Sequence, residues 1–398
     1  MAIPRLGHVI DSLDISGGAE KQLIANLRAF DHAAMHHEVV LIRASPDSRI
    51  REVPDQVRLQ TLYPEGAVPN RIQIASRLRR LAIDQGYDLI HASLPDSALA
   101  ARYVGLTTRV LAVESLVNIS HERIRCRDNA AVTPTKLMLH TQLDRVTMRG
   151  LDRFHAVSNA VAESWAETVG LNRGMIDVIP RGIDTAHIPS VDALDPAERS
   201  RIRAELGVED HDFLVLSVGR VEPQKGHRYL LEAADEIRRE IPGLKVAIVG
   251  RAGNSSRAIA QLVAERDLGD IVRMPGPRRD IVKVMAASDI FAFPSLFEGN
   301  GGNALIEAMA VGLPVVTSRA APMTDFVHDG KNGLLATRAD PHEVGAAILT
   351  LAQDEGLRRR LALAARTSAG GLPSPEKIAE RFENWYRLLL DRTHPSSA

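Results

Sequence analysis

Short apolar runs that read as strands alternate with helix-length segments along the whole 398-residue chain. Alternation of this kind leads to parallel sheets with helices over their faces, an α/β class. In the first half, Arg5–Ile10, Glu38–Arg43, Asp88–His91, Val110–Val113 and Arg153–Val157 read as strands. Ala19–Phe30 and Arg71–Gln85 read as helices between them. A second set opens with the strand Phe213–Val218 and a helix from about His227 to Glu240. Leu244–Val249, Ile271–Met274, Ile290–Phe293 and Pro314–Thr317 continue it. Ile179–Asp184 and the polar stretch to about Glu198 read as an interdomain linker. A chain of this length exceeds one ordinary core, so two domains are expected, 1–184 and 198–374. The amphipathic segment 375–392, with Trp385, Tyr386 and Leu388 to Leu390, reads as a closing helix.

Bulk properties exclude several classes of function. A net charge of -1 gives no field for nucleic acid, and 4% aromatic residues give little base stacking. The lone Cys126 excludes an intrachain disulfide and a cysteine-based zinc site. No apolar run reaches transmembrane length and no apolar signal follows Met1. A cytoplasmic protein is expected, with at most a peripheral contact at the inner membrane face.

Open parallel sheets bind ligands outside the carboxyl ends of their strands. Three loops stand there. Ser16-Gly17-Gly18-Ala19-Glu20 follows the first strand, and its glycines suit either a tight turn or the approach of a phosphate or sugar. Gly219-Arg220 to Lys225-Gly226 carries two cations that can converge on a diphosphate or stand solvated. The third runs from Phe293-Pro294-Ser295 through Glu298 and a Gly-rich turn into a helix containing Glu307. A helix start suits a phosphate, and two carboxylates suit a ligand that also carries hydroxyls. This pattern matches neither the dinucleotide fingerprint nor the Walker loop. His91 ends a strand and His121 lies in a polar loop, each a candidate acid or base or a packing residue. The groups Arg77, Arg79, Arg80 and Arg123, Arg125, Arg127 read as solvated faces, or as contacts for an anionic acceptor or lipid headgroups. No metal-ligand pattern stands at these loops.

Val218-Gly219-Arg220 through Lys225-Gly226, with Phe293-Pro294-Ser295 through Glu307-Ala308-Met309-Ala310, resembles glycosyltransferase family 4. The resemblance extends to Gly17-Gly18, Ala156-Val157-Ser158 and Val178–Asp184. It implies the GT-B fold: two Rossmann-like domains with parallel sheets facing across a cleft, the last helix crossing back to the first domain. It further implies a retaining enzyme that moves a sugar from a nucleoside-diphosphate-sugar to an acceptor hydroxyl on a glycan, glycolipid or small molecule, with no metal or other cofactor. By resemblance Arg220 and Lys225 hold the diphosphate, Glu298 lies by the donor sugar and Glu307 bonds the ribose. Gly301, Gly302 and the helix start Asn303, Ala304 and Leu305 approach the donor, Gly17 and Gly18 close on it, and Arg278 meets the base. Two departures stand out. Eight residues, Gly299–Ile306, separate the glutamates where the family has seven. Glu114-Ser115 stands where many members have a histidine, so the bond that the resemblance implies from it to the donor sugar is either missing or supplied by His121 or Glu114. That departure supports an alternative, a non-catalytic nucleotide-sugar-binding regulatory protein. Base, sugar, acceptor and oligomeric state are not written in these motifs.

Overall fold

A computed structural model describes residues 3–14, 18–46, 48–129, 132–185 and 187–393. These divide into two compact units. Unit 1 takes in the described residues up to Glu122, Pro134–Ile183 and those from Pro373 onward. Unit 2 takes in Asp184–Leu372 and, unexpectedly, the segment from Arg123 to Thr133.

Unit 1 runs β1 (Arg5–Ile10), α1 (Gly18–Ala29), β2 (His36–Arg43), β3 (Arg58–Tyr63), α2 (Arg71–Gln85), β4 (Leu89–Ser93) and α3 (Pro95–Thr107). It continues through β5 (Leu111–Leu116), α4 (Pro134–Thr147), β6 (Arg153–Ala156), α5 (Asn159–Val169) and β7 (Ile176–Val178). The strands are parallel in the order β3-β2-β1-β4-β5-β6-β7. Local chemistry sets the helix ends. Asn70 and Gln73 form a reciprocal capping box before α2, and Gly86 ends it in the left-handed region at φ 63°. Ser158 caps α5 through the Val161 amide.

Unit 2 runs α6 (Pro196–Glu205), β8 (Phe213–Val218), α7 (His227–Ile237), β9 (Leu244–Val249), α8 (Ser256–Glu265), β10 (Val272–Gly276) and α9 (Ile281–Ala286). Then come β11 (Ile290–Phe293), α10 (Asn303–Val311), β12 (Val315–Ser318), α11 (Met323–Phe326), β13 (Leu334–Ala336), α12 (Pro341–Gln353) and α13 (Glu355–Gly370). Its strands are parallel in the order β10-β9-β8-β11-β12-β13. Buried clusters cover both faces of this sheet, which explains the unbroken apolar runs of β8 and β11.

The chain leaves and re-enters unit 1 at neighbouring points: the Ile183 amide donates to the Pro373 carbonyl at 3.2 Å. From there α14 (Pro375–Thr393) returns, and Ile378, Phe382, Trp385, Tyr386 and Leu389 join Leu6, Ile10 and Ile24 in the unit 1 core. The stretch expected to be a linker is largely structure. Ile188, Val191 and Leu194 pack on the unit 2 core and Asp195 caps α6, because apolar residues interrupt the polar run at usable spacing.

Candidate active site

Each sheet reverses its strand order once, between β1 and β4 in unit 1 and between β8 and β11 in unit 2. The crevice beyond such a reversal is where an open α/β sheet accepts a ligand. In unit 2 the two loops that meet there are 219–226, after β8, and 294–302, after β11. Backbone bonds lock them together. The Leu296 amide donates to the Gln224 carbonyl at 2.7 Å, and the Gln224 side chain donates to the Phe297 carbonyl at 2.9 Å. Gly226 makes this approach possible. Its φ is +68°, and a Cβ there would sit 2.0 Å from the Pro294 carbonyl oxygen.

The charged residues converge as a result. Lys225 Nζ lies 2.6 Å from Glu298 Oε1, and Ser295 Oγ donates to the same oxygen at 2.6 Å. The ammonium also stands 5.0 Å from the centre of the Phe293 ring. Glu298 is 7% exposed, so it is a held carboxylate with a fixed direction rather than a solvated acid. Arg220 is exposed at the mouth of the same loop.

The eight residues between the glutamates include a Gly-rich turn. Gly301 and Gly302 take φ values of +71° and +83°, and Cβ atoms there would come within 2.5 Å of the Phe326 and Phe293 rings. α10 then starts at Asn303 with no side chain capping it. An uncapped helix start presents amide groups and a partial positive charge to an anion. Asn300 is buried at the turn, with no partner among the described residues for Oδ1. Asn303, Ala304 and Glu307 are half-buried at the start of α10, whereas Leu305 is fully buried and contributes packing. Gly302 at the start of α10 and Lys225 of the Lys225–Glu298 pair thus stand against the same Phe293 ring.

Other expected residues stand elsewhere. Arg278 is held by Asp280, at 2.8 and 2.6 Å, and by Glu205 at 2.8 Å. Hydrogen bonding from Arg278 depresses the Asp280 carboxyl. The guanidinium therefore fastens its loop to α6. Neither Asp280 nor Glu205 belongs to a motif, so only the fold reveals them. Gly17 lies outside the described residues. Gly18 begins α1, and Arg181 Nη1 would sit 2.9 Å from a Cβ there.

Glu114 and His121 are both buried and engaged by other side chains. Successive residues of a strand face opposite sides of the sheet, so Glu114 points away from Ser115. Glu114 is clasped by Arg102 through bonds of 2.8 and 2.9 Å, and Arg102 also binds Asp144 at 2.5 Å. His121 Nε2 lies 2.9 Å from the other Asp144 oxygen. The four residues form one buried ionic cluster that pins α3 and α4 to β5. Glu114 is held inward by Arg102 and His121 by Asp144, and neither partner stands out in the sequence.

His91 sits in a hydrogen-bonded chain whose polarity the end group fixes. The Ile179 carbonyl can only accept, so His155 Nε2 donates to it at 2.8 Å. His155 Nδ1 then accepts from Ser115 Oγ, Ser115 accepts from His91 Nε2, and His91 Nδ1 accepts from the Tyr386 hydroxyl, at 2.8, 2.8 and 2.7 Å. Every ring is neutral in this arrangement. Burial holds His155 down to about 4 and His91 well below its ordinary value. His91 lines a cavity of about 50 Å³ with His8, Asn26 and Arg181, but both its nitrogens are engaged.

Sequence reasoning also missed the segment Arg123–Thr133. Its arginines are not simply solvated. Arg127 Nε donates to the Tyr229 hydroxyl at 3.0 Å, Tyr229 donates to Asp128 at 2.5 Å, and the Arg125 guanidinium stands 5.7 Å from the Phe297 ring. Phe297 immediately precedes Glu298. Arg-rich spacing signals charge, and the apolar ring that receives it is distant in sequence. His227, next to Gly226, is likewise buried. Burial, with the nearby Lys225 charge, pushes it down to about 3.

The sequence profile of "Glycosyl transferases group 1" matches residues 198–368, and that of "Glycosyltransferase Family 4" matches 16–187. The chain belongs to glycosyltransferase family 4. The first match spans the locked loops, and the second spans most of unit 1. A D-inositol 3-phosphate glycosyltransferase of Nocardia farcinica is 34% identical over 255 residues, 62% of this chain and 55% of the relative. Another of that name, from Pseudarthrobacter chlorophenolicus, is 27% identical over 335 residues, 82% of this chain and 77% of its own. The chain thus spans about half the length of the first of these curated relatives. Among solved structures, Anabaena HepE in complex with UDP and glucose superposes with a TM-score of 0.79 at 22% identity, over 96% of this chain and 99% of its own. Sucrose-phosphate synthase from Thermosynechococcus elongatus gives 0.78 at 20% identity, over 98% and 100%. These likenesses establish the family's GT-B fold, two Rossmann-like domains with parallel sheets.

Proposed function

We propose that the chain is a retaining glycosyltransferase that moves a sugar from a nucleoside-diphosphate-sugar to an acceptor hydroxyl without a metal ion. The observation that carries this reading is the Lys225–Glu298 pair, 2.6 Å apart beside the uncapped start of α10. Transfer requires the bond from the anomeric carbon to the β-phosphate oxygen to break, with its electron pair passing to that oxygen. Arg220, Lys225 and the amides at the start of α10 would stabilise the negative charge that develops there. The acceptor oxygen forms the new bond from the face the diphosphate leaves, and its proton passes to the departing phosphate oxygen. Retention follows without a protein nucleophile. Glu298, oriented by Ser295 and Lys225, is suited to accept a hydrogen bond from a hydroxyl of the donor sugar. Half-buried Glu307 is assigned to the ribose.

The compounds to try first come from the relatives: UDP-sugars, since HepE was solved with UDP and glucose, and phosphorylated inositol as acceptor, from the names of the curated relatives. A thermal-shift panel of UDP-, GDP-, dTDP- and ADP-sugars tests the donor, since a ligand of the native state raises its melting temperature. No shift with any of them would sink the proposal. Covalent capture of a sugar on Glu298, seen by mass spectrometry, would replace the front-face route with a double displacement.

One observation favours a second reading. The position where many members have a histidine is taken by inward-facing Glu114, and His91 and His121 are both engaged elsewhere. A non-catalytic nucleotide-sugar sensor would show the thermal shift but neither transfer nor slow donor hydrolysis.

A further inference from the structure

The outward face of α2, α3 and α4 in unit 1 is apolar where a surface helix ordinarily presents polar side chains. α4 turns Leu137 and Asp144 inward. On its opposite side Leu139, Leu143 and Val146, spaced i, i+4 and i+7, are 59%, 40% and 65% exposed. Ile72 on α2 and Leu106 on α3 are exposed as well. The patch is continuous, because one groove of about 280 Å³ is lined by Ile72, Leu99, Tyr103, Leu143 and Arg71. A contiguous exposed patch of this kind marks an interaction surface.

The charge on α2 beside it is mainly positive. α2 carries Arg71, Arg77, Arg79 and Arg80 against a single acid, Asp84. Arg79 lies across to α3, donating to Thr107 Oγ1 at 3.1 Å. Lys136 stands one helical turn before Leu139 and two before Leu143 on α4. The acids on α3 and α4 already have partners: Asp96 binds Arg43 at 2.7 Å and stands 3.7 Å from Arg71 Nε at the rim, and Asp144 binds Arg102 and His121. A cationic rim has thus been gathered on one face of a chain whose net charge is -1.

We propose that this face docks unit 1 on an anionic lipid surface, with Ile72, Leu106, Leu139, Leu143 and Val146 entering the headgroup boundary and Arg71, Arg79 and Lys136 meeting phosphates. Aliphatic side chains bordered by cations with long apolar stems suit that boundary. A protein interface concentrates aromatic anchors, and this face has one, Tyr103. The second arginine group, at 123–127, is excluded from this role because Tyr229 and Phe297 of unit 2 receive it.

The test is co-sedimentation of the full chain with vesicles of equal parts phosphatidylglycerol and phosphatidylcholine, against phosphatidylcholine alone. The wild type is expected to partition onto the anionic vesicles at least about tenfold better. The double variants L139E/L143E and R79E/K136E should each lower that partitioning about tenfold or more. These side chains stand at the surface, so unchanged circular dichroism should confirm folding. Absence of binding by the wild type, or binding indifferent to both variants, overturns the proposal. Self-association in sedimentation velocity, lost in L139E/L143E without vesicle binding, assigns the face to a second copy and overturns it too. The nucleotide-sugar thermal shift should survive in both variants. Its absence from the wild type would strike the transferase reading and leave the vesicle result standing.

Discussion

Acidification from pH 7.5 to 5 should unfold unit 1 selectively. His8, His37, His91 and His155 are all buried in that unit. His8 Nε2 lies 2.9 Å from His37 Nδ1, and His91 and His155 share the chain that ends at Tyr386 on α14. Burial holds His8 to about 3, His37 to about 2 and His155 to about 4, and keeps His91 well below the ordinary 6.5. A group whose folded pKa is depressed contributes stability above its unfolded pKa, and that stability is lost as pH falls through the window between the two. For a histidine that titrates at 6.5 unfolded and stays neutral when folded, the loss by pH 5 is about 2 kcal/mol. Four such groups give about 8 kcal/mol, comparable with the whole stability of a domain. Asp11 and Glu20, raised by burial, act in the opposite sense and return part of this. Unit 2 has a single comparable histidine, His227, so its loss is about a quarter as large. The assay is urea unfolding followed by tryptophan fluorescence. Both tryptophans, Trp165 and Trp385, lie in unit 1 and report it alone. Stability should fall steeply below pH 6.5, with about three to four protons taken up on unfolding near pH 5. A loss under about 2 kcal/mol across the range would refute the neutral-histidine assignment.

Three further outcomes are expected. Lys225→Ala should lower turnover by about 10²–10³ while leaving the fold intact, measured with whichever donor gives the thermal shift; wild-type turnover would place the diphosphate elsewhere. Gly302→Ala forces a side chain into φ +83° and against Phe293, so it should cost about 1–3 kcal/mol in urea unfolding and weaken donor binding by displacing the start of α10. Glu114→Ala removes one of the two carboxylates that bind the buried Arg102 guanidinium and should destabilise unit 1 by about 3 kcal/mol, with activity per folded molecule kept. A selective loss of turnover in that variant, with normal stability, would return Glu114 to the reacting centre.

Elements with a strong local signature were legible before any coordinates. β1, α2, β8, β9 and β11 occupy the residues expected of them to within a residue or so, because central parallel strands are unbroken apolar runs. β3, β7 and β13 were missed. Each lies at or toward a sheet edge, and β7 and β13 have three residues each, too few to show a period. In the site, Lys225, Glu298 and the paired glycines stood out because each sits where a strand gives way to a helix. Arg278 and Glu114 have partners that the sequence did not reveal, for one reason. A charged residue in a loop or strand carries no local mark of the partner that will claim it, and Asp280 with Glu205 claimed one while Arg102 claimed the other.

Local patterning by itself determined the alternation of strands and helices, the two parallel sheets and the loops at their carboxyl ends, because each depends on side chains a few residues apart. Tertiary structure decided what those loops are for. Lys225 and Glu298 are 73 residues apart in the chain and 2.6 Å apart in space, brought together by the strand order that sets β8 beside β11. The same holds for Tyr386 and His91, 295 residues apart, and for the segment 123–133 that unit 2 claims from the first half. Pairing across such distances depends on sheet order and burial, which no window of sequence contains.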